Sequence, residues 1–380
     1  MKNKIYWLTV LLSMIVIIPE MRGQTALPKK CYMHLNGNID KSSPVEMNLV
    51  RINDTLYGNY TFLNGSGDQK KGSGNFIQVG GRVKPDGGFI LKEIPGQAGN
   101  VFRGKFENAQ TLKGVRETEK GDSKTQFELF ERYPEGTIPM SLSYQKASTP
   151  LVRKPKAPAA TIEMALLVPA ESSNSIISDT VKKIIFGKFM EQPVRSPDPN
   201  PDFILNSMKQ VYFENYISTN EAIYSTAQGM SFNWESLKFM DIIFNDSWYL
   251  CFSIDHYAFT GGAHGLDNKE FFVINTRTGK IIELGDIVTP ESGHGLMHLI
   301  TDKVKERNNI PLSARLTENG FFTDEIKISS NFYITAKGIG FHYNPYEFAP
   351  YSYGSTDIFI PSGEISQFIK ADSFVRRIMK

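Results

Sequence analysis

Cysteine is scarce: Cys31 and Cys251 are the two in a chain of 380 residues. That excludes a disulfide-dense scaffold and a cysteine zinc site. The pair has two readings, one bridge or two free thiols, and Cys251 lies in the apolar run Trp248-Tyr249-Leu250-Cys251-Phe252, which suits a small buried thiol. Long apolar runs are missing after residue 18, so nothing downstream offers the ~20 apolar residues of a membrane-spanning helix. No Gly-x-Gly-x-x-Gly or phosphate loop follows a strand-like run, and there is no Gly-x-Ser-x-Gly elbow. Net charge is only +2. It hides a polarity, with 20 basic and 13 acidic residues over 24–157 but 19 and 26 over 158–380. An acidic C-terminal half disfavours nucleic acid and suits a basic protein.

What is present begins with Lys2 and Lys4 ahead of an apolar run from Ile5 to Ile18. This is a charged n-region and an h-region too short for a comfortable span, so residues 1–23 read as a signal peptide. Met21 is a poor small-residue match, which leaves an uncleaved anchor as the alternative. Cys31 follows Pro28-Lys29-Lys30 rather than a small apolar box and does not read as a lipidation site. The expectation is a periplasmic or secreted chain with no stable membrane span after cleavage.

Short β-rich runs such as Val45–Val50 and Leu56–Phe62 alternate with turns such as Asn36-Gly37-Asn38 and Asp86-Gly87-Gly88. Residues 24–135 therefore read as an all-β barrel or sandwich. Residues 136–160 carry Pro139, Pro150, Pro155 and Pro158, which suits an extended linker. Over 161–380 helices and strands segregate, which predicts an α+β domain with an antiparallel sheet and packed helices. Helices are expected after Ser178, from Asn200-Pro201, over Pro290–Arg307 and over Ser362–Ile369. In the Asn200 helix the apolar positions Phe203, Ile204, Met208, Val211, Tyr212 and Ile217 recur at roughly helical spacing, and the helix after Ser178 would turn Val181, Ile184, Ile185 and Phe189 inward. Strands are expected at Phe239–Phe244, Trp248–Tyr257, Phe271–Asn275, Lys280–Leu284, Phe332–Thr335, Gly340–His342 and Asp357–Ile360.

Five of the six histidines fall between His256 and His342. His294, His298 and Asp302 form a helical i, i+4 row, but the row faces away from the apolar side and lacks a metalloprotease glutamate, so no metal is expected. Thr260-Gly261-Gly262-Ala263-His264-Gly265 is a shaped turn whose backbone could hold an oxyanion. His264 could serve as a base oriented by Asp255 or Asp267. No nucleophile accompanies it beyond the Thr260 hydroxyl, so no catalytic residue and no cofactor are assigned, and His264 is read as holding the turn. The stretch 341–354 concentrates Tyr343, Tyr346, Tyr351 and Tyr353 with Pro345 and Pro350. Such stiffened aromatic area forms protein hot spots or sugar platforms, whereas Phe341 and Phe348 read as packing residues.

Three ordered motifs, His256–Gly265, Phe272–Lys280 and Tyr343–Tyr351, resemble the RsiV-type extracytoplasmic domain over about residues 160–370. That domain, otherwise of unknown function, occurs in a lysozyme-sensing anti-sigma factor and beside peptidoglycan deacetylases. The resemblance implies a non-catalytic α+β binding domain outside the membrane that grips lysozyme in its best-known member. This chain shows no sigma-binding segment ahead of a membrane span, so transmembrane signalling does not carry over. The expectation is an envelope binding protein whose partner is a protein, with lysozyme the candidate, or a cell-wall glycan. The candidate binding residues are Thr260, Gly261, Gly262, Ala263, His264, Gly265, Tyr343, Pro345, Tyr346, Pro350, Tyr351 and Tyr353. The alternatives are a peptidoglycan hydrolase or deacetylase using His264, and a carbohydrate-binding module.

Overall fold

Short runs in which apolar and polar residues alternate, such as Val45-Glu46-Met47-Asn48-Leu49, build the N-terminal unit. In a computed structural model, residues 28–380 are described apart from 65–74, 95–98, 119, 122, 172–175, 195–199, 225–230 and 380. The signal peptide expected at 1–23 lies outside the described residues. Eight strands form a closed antiparallel barrel: β1 (Lys30–Ile39), β2 (Ser43–Ile52), β3 (Thr55–Phe62), β4 (Ile77–Val83), β5 (Gly88–Glu93), β6 (Asn100–Asn108), β7 (Thr111–Thr118) and β8 (Lys124–Glu131). Each pairs with its chain neighbour, and β1 closes on β8 through Leu35↔Glu131 to Ile39↔Phe127. Closure removes both sheet edges. In β2 the inward set is Val45, Met47 and Leu49, which join Leu35, Leu91, Phe102 and Phe127 in the barrel core.

One charged pair is built into the barrel wall. The buried Glu93 carboxylate accepts hydrogen bonds from Tyr60 Oη at 2.6 Å, Arg116 Nη2 at 3.0 Å, and Asn100 N and Nδ2 at 3.1 and 2.9 Å. Burial alone would raise its pKa. The Tyr60 hydrogen bond and the Arg116 charge outweigh that and hold it below the usual carboxylate range.

The segment read as a linker is a strand. β9 (Met140–Pro150) pairs along its whole length with β10 (Ala159–Pro169), from Pro169↔Met140 to Ala159↔Pro150. The prolines punctuate rather than pervade: Pro139 precedes β9, Pro150 ends it, and Pro155 and Pro158 lie in the turn. β9 is an edge strand, the position where terminal proline costs the ladder least.

β9 and β10 belong to a six-stranded sheet, order β14-β13-β12-β11-β10-β9, with β11 (Trp234–Asp246), β12 (Tyr249–Phe259), β13 (Leu266–Asn275) and β14 (Lys280–Ile282). It is not wholly antiparallel as expected, because β10 and β11 run parallel. Two helices, α1 (Ile176–Met190) and α2 (Pro201–Asn220), stand between them in the chain and supply the long crossover a parallel pair needs. Asn200 caps α2 by accepting from Asp202 N at 2.8 Å. Met164, Met240, Phe252 and Ile254 of the sheet form one core with Val181, Ile185 and Phe189 of α1 and Ile204 and Leu205 of α2. Of the helically spaced apolar positions of α2, Phe203 and Val211 are 62% and 55% exposed. The row that meets the sheet runs through Leu205, Met208, Tyr212 and Tyr216, and those two residues fall beside it.

Beyond the sheet, α3 (Leu284–Ile287) and α4 (Gly293–Arg307) precede a three-stranded sheet of β15 (Phe332–Thr335), β16 (Gly338–Tyr343) and β17 (Thr356–Pro361). The C-terminal helix expected over Ser362–Ile369 is a short α5 (Ser362–Ile365) continued by a 3-10 turn. Leu296, Ile300 and Val304 of α4 pack with Tyr333, Ile334 and Phe341 and with Cys251, Phe271 and Val273 of the large sheet. Both cysteines are free thiols; burial pushes Cys251 up to about 12. The barrel docks on β11, where Asn59 Nδ2 donates to Asp241 Oδ2 at 2.9 Å and to the Ile242 carbonyl at 2.8 Å. No helix among the described residues is long and apolar enough to cross a membrane.

Candidate functional site

The tip of the β12–β13 hairpin is residues 260–265. Gly261 and Gly262 both have φ +95, a region closed to side chains without strain. Gly265 is required for a different reason: a Cβ there would overlap the Tyr257 ring. His264 bends back so that Nδ1 contacts the Gly265 carbonyl at 2.8 Å.

The aromatic loop between β16 and β17 lies directly against this tip. The Tyr351 ring stacks on His264 with centroids 4.0 Å apart and an interplanar angle of 18°, and its hydroxyl donates to the Gly265 carbonyl at 3.0 Å. Tyr346 sits 5.7 Å from Tyr351, 51% exposed, with φ 71. A bulky residue in the left-handed region is uncommon and holds the ring outward. His264, Tyr351 and Tyr346 thus form one ridge. Thr260, Gly262 and Ala263 are exposed beside it, Gly261, Pro345 and Pro350 are half-buried, and Gly265 is buried. Tyr353 is exposed at the far end, anchored by its hydroxyl to the Asn319 carbonyl at 2.7 Å.

Tyr343 does not belong to the surface. It is 4% exposed, and its hydroxyl donates to the Lys327 carbonyl at 2.8 Å, so it supports the loop from beneath.

Four residues that sequence reasoning passed over hold the two loops together. β14 covers only Val273–Asn275 of β13, which leaves the rest of that edge open. Asn344 closes part of it, accepting from Lys269 N at 2.7 Å and donating to the Lys269 carbonyl at 3.1 Å. Asn331 does the same one step along, accepting from Phe271 N at 2.8 Å and donating to the Lys269 carbonyl at 2.7 Å. Two side-chain amides therefore stand in for a missing strand. His342 backs Asn344: Nε2 faces Asn344 Oδ1 at 3.2 Å and Nδ1 faces Asp357 Oδ1 at 2.8 Å. Burial would raise Asp357, but the His342 hydrogen bond and charge and the Lys269 ammonium hold it low. An Asn-Pro step after a strand was the one visible sign of this latch.

The hydrolase reading finds little geometry at His264. Its contacts are the Gly265 carbonyl and the Tyr351 ring, and Asp255 pairs instead with Lys269 Nζ at 3.0 Å. A serine–histidine–carboxylate line does occur elsewhere, with Ser236 Oγ 3.2 Å from His256 Nε2 and Glu191 3.9 Å from His256 Nδ1. Ser236 is 7% exposed and does not line the adjoining cavity, whose volume is about 10 Å³. Glu191 serves chiefly as counter-ion to the buried Lys238. Burial, then the Lys238 charge, lowers the His256 pKa against the pull of Glu191. This arrangement is a polar lock at the end of α1, without room for an acyl group. His298 pairs with Asp302 at 3.1 Å on the exposed side of α4.

Residues 285–363 match the family described as a protein of unknown function, DUF3298. That span contains the aromatic loop and the Asn331 and Asn344 latch, while the glycine–histidine tip lies outside it. A DUF3298-family member from Bacteroides fragilis superposes with a TM-score of 0.58 at 19% identity, covering 64% of this chain and 98% of its own. At that identity the likeness establishes the fold. A DUF3298-family protein from Pseudomonas aeruginosa gives a TM-score of 0.44 at 16% identity, covering 62% of this chain and 95% of its own. No curated protein matches the chain.

Proposed function

We propose that the chain is a non-catalytic binding protein of the bacterial envelope, periplasmic or secreted, that seats a protein ligand on the ridge of His264, Tyr346 and Tyr351. The observation that carries this reading is the His264–Tyr351 stack at 4.0 Å with the exposed Tyr346 beside it. Aromatic anchors fixed before binding lose little ordering entropy and contribute disproportionately to affinity. The latch at Asn331 and Asn344 supports it by ordering both loops. The acidic excess over 158–380 favours a basic partner, and the RsiV-type resemblance makes lysozyme the specific candidate.

Calorimetric titration with lysozyme tests this. Tyr346→Ala and Tyr351→Ala should each weaken binding by about tenfold or more, the loss expected of a hot-spot aromatic. Absence of binding to the native chain, or affinity indifferent to both changes, sinks the lysozyme reading. A glycan ligand is the second reading, favoured by the half-exposed Tyr346 ring face. It predicts glycan-array signal that Tyr346→Ala removes and salt does not alter.

A further inference from the structure

A cleft of about 650 Å³ opens beside the ridge, and six of its lining residues are Lys188, Glu270, Phe272, Glu283, Asn344 and Glu347. We propose that it is a receiving pocket for a basic side chain, arginine or lysine, carried by the protein that the ridge holds. The proposal rests on the binding reading above and adds what the cleft selects.

Position comes first. The cleft is lined by the open stretch of β13 and by Asn344 and Glu347 of the aromatic loop, so the loop that presents Tyr346 on the ridge also borders the cleft. The edge of β13 cannot take an added strand here. Asn331 and Asn344 already occupy the N–H and carbonyl of Lys269 and the N–H of Phe271, which leaves the space for a side chain rather than an extended backbone.

Charge comes second. Glu270 and Glu347 have no ion-pair partner among the described residues. Glu270 Oε1 accepts only a long bond from Asn268 Nδ2 at 3.3 Å, and Glu347 uses Oε1 to accept from Asn344 N at 3.0 Å and Nδ2 at 3.3 Å. Glu283 also lines the cleft and forms a capping box with Asp286 at α3. Lys188 is the cation of the lining, and its ammonium rests over the Phe272 ring at 4.6 Å. The floor of the cleft thus already holds one cation against an aromatic face. An arriving guanidinium stacks on the same ring and meets the carboxylates in fork geometry, while Lys188, on a flexible stem, swings aside.

The test uses the full chain and a pair of probes, N-acetyl-arginine methylamide and its norleucine counterpart, followed by amide shifts of Glu270, Phe272 and Glu347. Saturable shifts are expected with the arginine probe and none with norleucine. Glu270→Gln with Glu347→Gln should weaken the arginine probe about tenfold, the loss of charge-assisted bonds. Glu347→Gln keeps an acceptor for Asn344, so the loop stays latched. Lys188→Met should strengthen binding by removing the competing cation. Equal response to both probes, or indifference to the glutamine pair and to Lys188→Met, overturns the proposal. Lysozyme affinity lost in Tyr346→Ala but unchanged in the glutamine pair rejects the pocket and leaves the ridge standing. Arginine binding that persists while Tyr346→Ala leaves lysozyme affinity untouched rejects the ridge instead.

Discussion

Asn344→Ala is the perturbation on which the geometry makes its sharpest statement. The amide side chain accepts from Lys269 N, donates to the Lys269 carbonyl, and receives His342 Nε2. In the variant the Lys269 carbonyl keeps Asn331 Nδ2, but the Lys269 N–H, part-buried, has no replacement. A donor left unsatisfied by the loss of its partner costs about 1–3 kcal/mol, so the loop contact should weaken by about that amount. At 1.4 kcal/mol per decade the Lys269 amide should then exchange about five- to 150-fold faster. Hydrogen exchange resolved by residue reads this directly, with the Phe271 amide, held by Asn331 at 2.8 Å, as the internal reference. Asn344→Asp keeps an acceptor and should fall between the two. An unchanged Lys269 rate in Asn344→Ala would refute the idea that a side chain replaces a strand at this edge.

Asp241, buried against the barrel, has its carboxyl pushed up to about 7, by burial above all. Its unfolded counterpart ionises near 3.8, so the native state is penalised as pH rises from about 4 to 7, by roughly 1.4 kcal/mol per unit and about 4 kcal/mol at most. Asp241→Asn, which retains an acceptor for Asn59, should remove that slope in denaturant midpoints measured from pH 4 to 8; equal slopes would contradict the assignment. Gly265→Ala must displace the Tyr257 ring and should cost about 1–3 kcal/mol of overpacking, whereas Gly262→Ala meets open space and costs about 1 kcal/mol of backbone strain. Thermal unfolding that ranks the two the other way would contradict the packing described. Glu93→Gln leaves Arg116 charged and mostly buried, and should destabilise the barrel by about 3 kcal/mol, read as a lowered urea midpoint.

Local chemistry in the chain was legible where a single residue decides it. Asn200-Pro201 announced the start of α2, and the β15 limits followed from a short apolar run. What stayed hidden depends on partners distant in sequence. β1 closing on β8 joins residues some ninety apart, and no local pattern separates a barrel from a sandwich. The proline-bearing stretch read as a linker because the pairing of β9 with β10 was invisible. All six residues of β16 are buried, so alternation could not reveal that Tyr343 points inward while Tyr346 points out. The candidate site was half readable: the tip and the tyrosine loop stood out by composition. The asparagine latch did not, because an amide bonding to an open strand edge leaves no periodic trace.

The central claim, that the His264–Tyr351–Tyr346 ridge is the face that meets a ligand, is tested most directly by hydroxyl-radical footprinting of the full chain with and without lysozyme. The account predicts protection concentrated at His264, Tyr346 and Tyr351. The exposed Phe203 on α2 should stay unchanged. Protection confined to the barrel or to α2, with the ridge as reactive as in the free protein, would contradict it.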